Sequence, residues 1–470
     1  MMKKYRKKMI IGSIIAIVLY LLIGSIAPYS IQPEVSTQTK KDIAQKTFTS
    51  TNLSPEKAKV IDQNGEALEE RIRLIANADE KIILSTYEFR SDESGKDVLS
   101  ALIDASLRGV QVQVIVDGVG ALARMMNNDY FIALSSLENA QIKVYNPIRV
   151  YQPWNLMGRM HDKYLLVDDE SYILGGRNNY DYFLGDHDGY KNYDWDILVA
   201  SSKKNSHSIQ QLNQYFQSVW NLEVSELYHD DNDEQDDVQE ERKELQERYE
   251  NLQKEHHDWF LPDTNPDTLP TQHIELVSNP IQVGIKEPIV YETITHLMTQ
   301  AKQEVKFHTP YIIANEYMLD RIRLVCQKVP QMTMMTNSVA NNGNPFGAMD
   351  YQQHKKKILD TGLDILEYDG GISYHGKCFT IDDHLSAIGS FNWDMRSAYL
   401  DTELMIVIDS QKVNASLKEK MTSYEKNALH VIDEDNYDLK ESQVPQKNSF
   451  FRSLQLRLMQ LLLGWLRFLM

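Results

Sequence analysis

Two stretches of this 470-residue chain match each other position by position: His161–Asn178, HDKYLLVDDESYILGGRN, and His375–Asn392, HGKCFTIDDHLSAIGSFN. His161/His375, Lys163/Lys377, Asp168/Asp382, Gly175/Gly389 and Asn178/Asn392 recur at one constant offset of 214 residues. Agreement in both residue type and spacing is far beyond chance. The chain therefore has two equivalent halves, each supplying one imidazole, one ammonium and one amide.

The spacing has a local reading. Side chains alternate along a strand, so His161 and Lys163 share a face. YLLVD continues that strand, DES turns and YILGG returns. A turn centred between Asp169 and Glu170 sets residue 161 opposite 178 and 163 opposite 176, which brings Asn178 beside His161 and Lys163. The same arithmetic sets Asn392 opposite His375. Gly175-Gly176 and Gly389-Ser390 are read as room for an oxyanion against the backbone.

Two such sets around one centre suit a phosphodiester. Lys163, Lys377, Asn178 and Asn392 would donate to non-bridging oxygens and stabilise charge as it builds. One histidine would attack phosphorus and the other protonate the leaving alcohol, since imidazole serves either role near neutral pH. His, Cys, Asp and Glu show no recognised metal-ligand spacing, so neither a metal nor a cofactor is expected. Asp168 and Asp382 fall at the turns and are read as structural, pairing there with backbone or cations.

Around the motifs, strand and helix signals alternate. KIILSTYEF, SGKDVLSALIDASLRG and VQVQVIVDG in the first half are echoed by EVKFHTPYI, EYMLDRIRLVCQK and MTMMTN in the second. This order predicts an α/β fold with parallel pairs in each half. Cys326 and Cys378 are too few for a disulfide framework and are expected to be free thiols.

The ends differ from the rest. Residues 1–8 are basic and Met9–Ala27 is an uncharged apolar run. Its length as a helix, roughly 28 Å, is close to a hydrocarbon core of about 30 Å. It is longer than the apolar region of a signal peptide, so an uncleaved anchor is the preferred reading. The basic flank keeps residues 1–8 cytoplasmic and places the rest outside. Residues 28–57 read as a polar linker. Residues 448–470 read as an amphipathic membrane-associated helix, with Arg452, Arg457 and Arg467 on one arc and Leu454, Leu458, Leu461, Leu462, Trp465 and Phe468 on the other; Leu456 sits on the wrong side. The formal charge is −18, and more than half of it lies between Asn221 and Asp258. Residues 221–270 are accordingly read as an acidic helical insert and linker between domains 58–220 and 271–440, with Leu245, Tyr249 and Leu252 as its few apolar anchors. Overall acidity argues against a nucleic-acid partner.

The duplicated His-x-Lys-x4-Asp-x6-Gly-Gly/Ser-x-Asn pattern resembles the signature of the phospholipase D superfamily, over roughly Asn64 to Asp409. The resemblance implies two pseudo-symmetric αβα domains sharing one active site at their interface, here with an N-terminal transmembrane helix added. It implies a covalent phosphohistidine on His161, with His375 as the acid. It also implies a downstream carboxylate orienting each histidine: Asp194 or Asp196 from DWDILV, with Asp194 preferred, and Glu403 from DTELMIV. GSFNWDMRSAYLDTEL and GGRNNYDYF look like the cardiolipin synthase branch. Asp401 and Met395 depart from its usual Asn and Pro, and one N-terminal membrane helix stands where others often carry two. The expected activity is a membrane-bound phosphatidyltransferase making cardiolipin from phosphatidylglycerol and a second phospholipid. A hydrolytic phospholipase D is the alternative, a nuclease of the same superfamily the next, and a non-catalytic scaffold the last; two intact motifs argue against the scaffold.

Overall fold

The structure is a computed structural model that describes residues 2–228, 238–262, 267–441 and 443–470. Part of the expected acidic insert, including Pro266, lies outside the described residues.

Each half is built on a nine-stranded sheet. In the first, the order runs Leu269–Pro270, Glu56–Ile61, Asp196–Ser201, Ser171–Gly175, Tyr164–Val167, Lys81–Thr86, Gln111–Asp117, Ala140–Tyr145, Ser225–Leu227. The second repeats this pattern as His273–Ser278, Leu404–Asp409, Leu385–Gly389, Cys378–Ile381, Glu304–His308, Gln331–Asn337, Asp364–Tyr368, Ala428–Val431, then adds Tyr437–Asp438. In both, three successive strands pair in parallel and the motif hairpin pairs antiparallel beside them. The strand Lys81–Thr86 is buried from Ile82 onward, as a strand in a covered parallel sheet must be. The helix after it, Glu93–Leu107, is capped by Asp92, and Gly109 at φ +97° turns the chain into the next strand.

One apolar cluster joins the halves. Leu166, Leu174 and Ile197 of the first sheet share it with Ile388, Leu404 and Ile406 of the second. Beside it, Glu275 of the second half accepts from His207 Nε2 at 2.8 Å and Gln211 Nε2 at 3.0 Å, both on the first half's helix His207–Trp220. His273 and Lys46 complete this ionic clasp. Both cysteines are free thiols.

One segment differs from its sequence reading. Residues 28–57 do not form a loose linker. Tyr29 and Phe48 are buried in the second half's core, Ile43 is buried on the helix Thr37–Gln45, and Ser50 N donates to Asp409 Oδ2 at 2.9 Å. Few apolar residues suffice when each finds a preformed pocket. The charged helix Gln239–Glu255 docks through its few apolar anchors. It lies along Glu93–Leu107, burying Leu245, Tyr249 and Leu252, while Arg248 pairs with Asp97 and Lys96 with Glu244. The N-terminal helix Met2–Ile26 is the one described helix long and apolar enough to cross a membrane, and no residue of its apolar window is buried.

Candidate active site

Each motif begins where the chain crosses onto the other half. Met160 bridges Thr402 in parallel, and His161 N donates to Thr402 O at 3.3 Å. Ser373–Tyr374 pairs in parallel with Asn192–Tyr193, and His375 N donates to Tyr193 O at 2.6 Å. A carboxylate follows each crossing point, Glu403 after Thr402 and Asp194 after Tyr193. His161 Nδ1 therefore lies 2.9 Å from Glu403 Oε1, and His375 Nδ1 lies 2.6 Å from Asp194 Oδ2. Each half's carboxylate serves the other half's histidine. Asp196, the other residue considered, points into the first half and pairs with Arg71 at 2.9 Å and Arg177 at 3.4 Å.

Both carboxylates are themselves fixed. Ser397 Oγ donates to Glu403 Oε1 at 2.6 Å, and Ser390 Oγ donates to Oε2. Trp195 N donates to Asp194 Oδ1 at 2.8 Å. A Cβ on Gly176 would collide with the Asp194 carboxylate, and one on Gly175 with the Trp195 carbonyl. The expected oxyanion space at Gly175-Gly176 and Gly389-Ser390 is thus occupied by protein. In the first half it lets Asp194 pass across to His375; in the second, the Ser390 hydroxyl holds Glu403 and Gly389 accommodates the Leu404 carbonyl.

The hairpin register also differs by one residue. Tyr164 pairs with Leu174 and Val167 with Ser171, and Gly175 N donates to Lys163 O at 3.1 Å. Cys378 likewise pairs with Ile388. The turn centres on Asp169 because Asp168 leaves the ladder early, at φ 53°. Its carboxylate turns back to accept the N–H groups of Asp79, Glu80 and Lys81, each at 2.8 Å. Asp382, at φ 48°, accepts from Lys302, Gln303 and Glu304 in the same way. These aspartates tie the motif hairpin to the start of the neighbouring parallel strand. Asn178 is consequently not directly opposite His161. Its Oδ1 accepts from Glu88 N at 3.2 Å at the edge of the cavity. Asn392 is buried beside Ser397, its Oδ1 without a partner among the described residues.

His161, His375 and Asn178 line one cavity of about 520 Å³. Its wall is aromatic: Tyr87 stands edge-on to His161 at 5.6 Å and Phe183 to His375 at 5.2 Å, with Tyr180, Tyr182, Tyr190 and Tyr311 around them. The sequence carried a signal for this wall in the tyrosine-dense YDYFLGDHDGYKNYD run after the first motif. The wall's second side, Asn342-Gly343-Asn344, left no chemical signature in sequence.

Charge is strongly perturbed here. Lys163 and Lys377 are buried and donate to the carbonyls of His161 and His375. Burial pushes Lys163 down to about 7 and lowers Lys377 as well. Burial, reinforced by Lys163 and Lys377, holds His161 well below its ordinary 6.5. Burial and Lys377 bring His375 to about 4, against the pull of Asp194. Burial also raises Glu403 to about 7, whereas for Asp194 the charges of Lys377 and His375 outweigh burial and hold the carboxyl at about 2. Two buried ammonium groups behind the two histidines make this a site whose charge suits an anion.

The family described as cardiolipin synthase, phospholipase D-like domain, matches this chain over residues 72–220 and 294–424, one match in each half. Cardiolipin synthase C of Escherichia coli (strain K12) is 24% identical over 390 residues, covering 75% of this chain and 81% of that protein. A cardiolipin synthase of Clostridium perfringens (strain SM101 / Type A) is 24% identical over 386 residues, covering 81% and 73%. The crystal structure of phosphatidylserine synthase from Haemophilus influenzae Rd KW20 shares the fold, with a TM-score of 0.65 at 15% identity over 92% of this chain and 99% of that one.

Proposed function

The chain belongs to the cardiolipin synthase family of phospholipase D-like proteins, and from that premise we propose that it is a membrane-bound phosphatidyltransferase that makes cardiolipin through a phosphohistidine on His161. The observation that carries this reading is the pair of Nδ1 contacts. With Nδ1 of each ring engaged by a carboxylate, Nε2 is the nitrogen turned to the reaction, that of His375 lying 3.3 Å from Lys377 Nζ. In the first step His161 Nε2 attacks the phosphorus of phosphatidylglycerol, and the bond from phosphorus to the departing glycerol oxygen breaks. His375 gives its Nε2 proton to that oxygen. In the second step His375 takes the proton of the acceptor lipid's glycerol hydroxyl. The freed oxygen attacks phosphorus, and the bond to His161 breaks.

The electrostatics support this division of labour. His161 is held neutral by burial and by Lys163, as a nucleophile must be. His375 faces Asp194, which remains anionic and can stabilise an imidazolium. An entering phosphate would restore full charge on Lys163 and Lys377 and favour imidazolium more at His375, beside the anionic Asp194, than at His161, whose partner Glu403 is itself raised to about 7. The exposed apolar helix Met2–Ile26 supports a single-pass anchor, with the catalytic halves outside the cytoplasm.

Incubating the purified full chain with labelled phosphatidylglycerol, alone and with a second phospholipid, tests the reading. Labelled cardiolipin is expected. Phosphatidic acid as the sole product would make it a hydrolase, and cleavage of DNA without lipid turnover would make it a nuclease.

A further inference from the structure

The segment after residue 448 is turned the opposite way from a helix that offers its arginines to lipid headgroups. Its helix Phe450–Leu463 and the following turn Gly464–Leu469 bury only Leu456 and Leu469. Arg467 makes two bonds to the Asp350 carboxylate, at 2.8 and 2.9 Å, and Arg452 donates to Asn342 O at 2.6 Å. Leu456 packs between them on Ala348 and Met349. Arg452 and Arg467 thus face the protein with Leu456 between them, while Arg457 stays exposed. Leu458, Leu461, Leu462 and Trp465 point outward at 49%, 78%, 64% and 63% exposure.

What covers this face follows from its continuity with the N-terminal helix. Ile26, at the end of that helix, packs into the same core as Leu466, Phe468 and Met470, and Gln32 Nε2 donates to Phe468 O at 3.2 Å. One and two turns back, the helix meets an aromatic collar. Tyr20 OH donates to Tyr151 O at 2.8 Å and its ring stands edge-on to Trp154 at 6.4 Å, both of those aromatic side chains being largely exposed. Tyrosine and tryptophan around the end of an apolar helix are the side chains expected at headgroup depth. The exposed Leu and Trp face belongs to the segment whose end, at Phe468, is bonded to the chain just after that helix.

The same segment reaches the active site. Arg396 N donates to Met470 O at 2.8 Å, Arg396 Nη1 donates to Leu469 O at 3.1 Å, and Arg396 Nε lies 3.0 Å from Asp401 Oδ2. The next residue, Ser397, holds the Glu403 carboxylate that orients His161. At the other end, Arg452 grips Asn342, which lines the cavity.

We propose that residues 450–470 form a membrane-seated strut. Its apolar face lies in the leaflet entered by the N-terminal helix. Arg467, Arg452 and its terminal carbonyls, fastened to Asp350, Asn342 and Arg396, hold the cavity mouth and Glu403 in position at the lipid surface. Arg396 is a positioning residue here. The catalytic part of the inference rests on the phosphatidyltransferase reading; the seating does not, so the two are tested by separate measurements.

Seating is read with the full chain in phosphatidylglycerol vesicles. The emission that Trp465→Phe removes should be quenched by lipids brominated on the acyl chains and shielded from aqueous iodide. Quenching by iodide but not by bromolipid would overturn the proposal, whatever the enzyme's reaction. For catalysis, L458Q/L461Q/L462Q/W465S alters only exposed positions and should keep its melting temperature. It should lose at least tenfold of the vesicle rate and less than twofold of the mixed-micelle rate. Equal loss on both, or a lowered melting temperature, would make the segment an ordinary structural helix and overturn the strut.

Discussion

Glu403 orients His161 across 242 residues of chain, at 2.9 Å, and it does so from the other half of the molecule. The reciprocal pair, Asp194 on His375, spans 181 residues. Neither half alone can build an oriented histidine, although each carries a full copy of the motif. Duplication therefore did not give two active sites; it gave one site that exists only when the halves dock.

The exchange separates the acidic candidates experimentally. Asp194→Asn and Glu403→Gln should each lower kcat by about 10²–10⁴, the scale expected when a histidine loses its orienting carboxylate. Melting temperatures should change little. Asp196→Asn should behave in reverse: it abandons two buried arginines, at a cost of about 3–5 kcal/mol, with kcat of the surviving folded protein largely kept. Rates and thermal melts on the three variants check this; loss of rate without loss of stability in Asp196→Asn would put the wrong acid at His375.

Histidine roles are read from trapping. His161→Ala and His375→Ala should both abolish turnover with the fold retained, and only the His375 variant should retain radiolabel from a labelled phosphatidyl donor. Label on the His161 variant would exchange nucleophile and acid. Lys163→Ala and Lys377→Ala should each slow the reaction by about 10²–10³, as when a donor to a developing oxyanion is removed.

The pH profile has a definite sign. His161 must be neutral to attack, and its pKa is pushed below 6.5. The rise of kcat/KM with pH should therefore be complete before 6.5 is passed. His375, at about 4, must carry the proton it donates and Lys163, brought to about 7 by burial, must be charged, so the profile should fall as pH rises through each of these values. Lys163→Met should move the acid limb upward, because a cation that disfavours imidazolium is gone. An acid limb at the ordinary histidine value in the unaltered enzyme would contradict the lowered pKa of His161.

Asp168 and Asp382 should matter to stability rather than chemistry. Each accepts three backbone N–H groups, so Asp168→Ala leaves donors unmet at a cost of about 1–3 kcal/mol. Asp168→Asn, which keeps one carbonyl oxygen and tolerates the positive φ, should recover part of this. Urea unfolding with kcat measured on the folded fraction distinguishes this outcome from a direct catalytic loss.

Local pattern made much of this protein legible from its residues. The fixed spacing of His161, Lys163 and Asn178 against His375, Lys377 and Asn392 marked the duplication, and the apolar runs YLLV and CFTI marked the motif strands, although His161, Lys163, His375 and Lys377 lie just before those strands rather than on them. Leu245, Tyr249 and Leu252 were likewise recognisable as the anchors of the charged helix. Three matters depended on contacts far apart in sequence. The hairpin register turned on Asp168, whose carboxylate serves the N–H groups of residues 79–81 and so ends the strand one residue early. The face of the final helix turned on Asp350 and Asn342, which draw Arg467 and Arg452 inward. The exchange of Asp194 and Glu403 turned on two short crossings, Tyr193 beside His375 and Thr402 beside His161. A one-dimensional pattern records which groups a half can offer, whereas which group meets which is set by docking two sheets through a shared apolar core, and that core fills only when the halves are together.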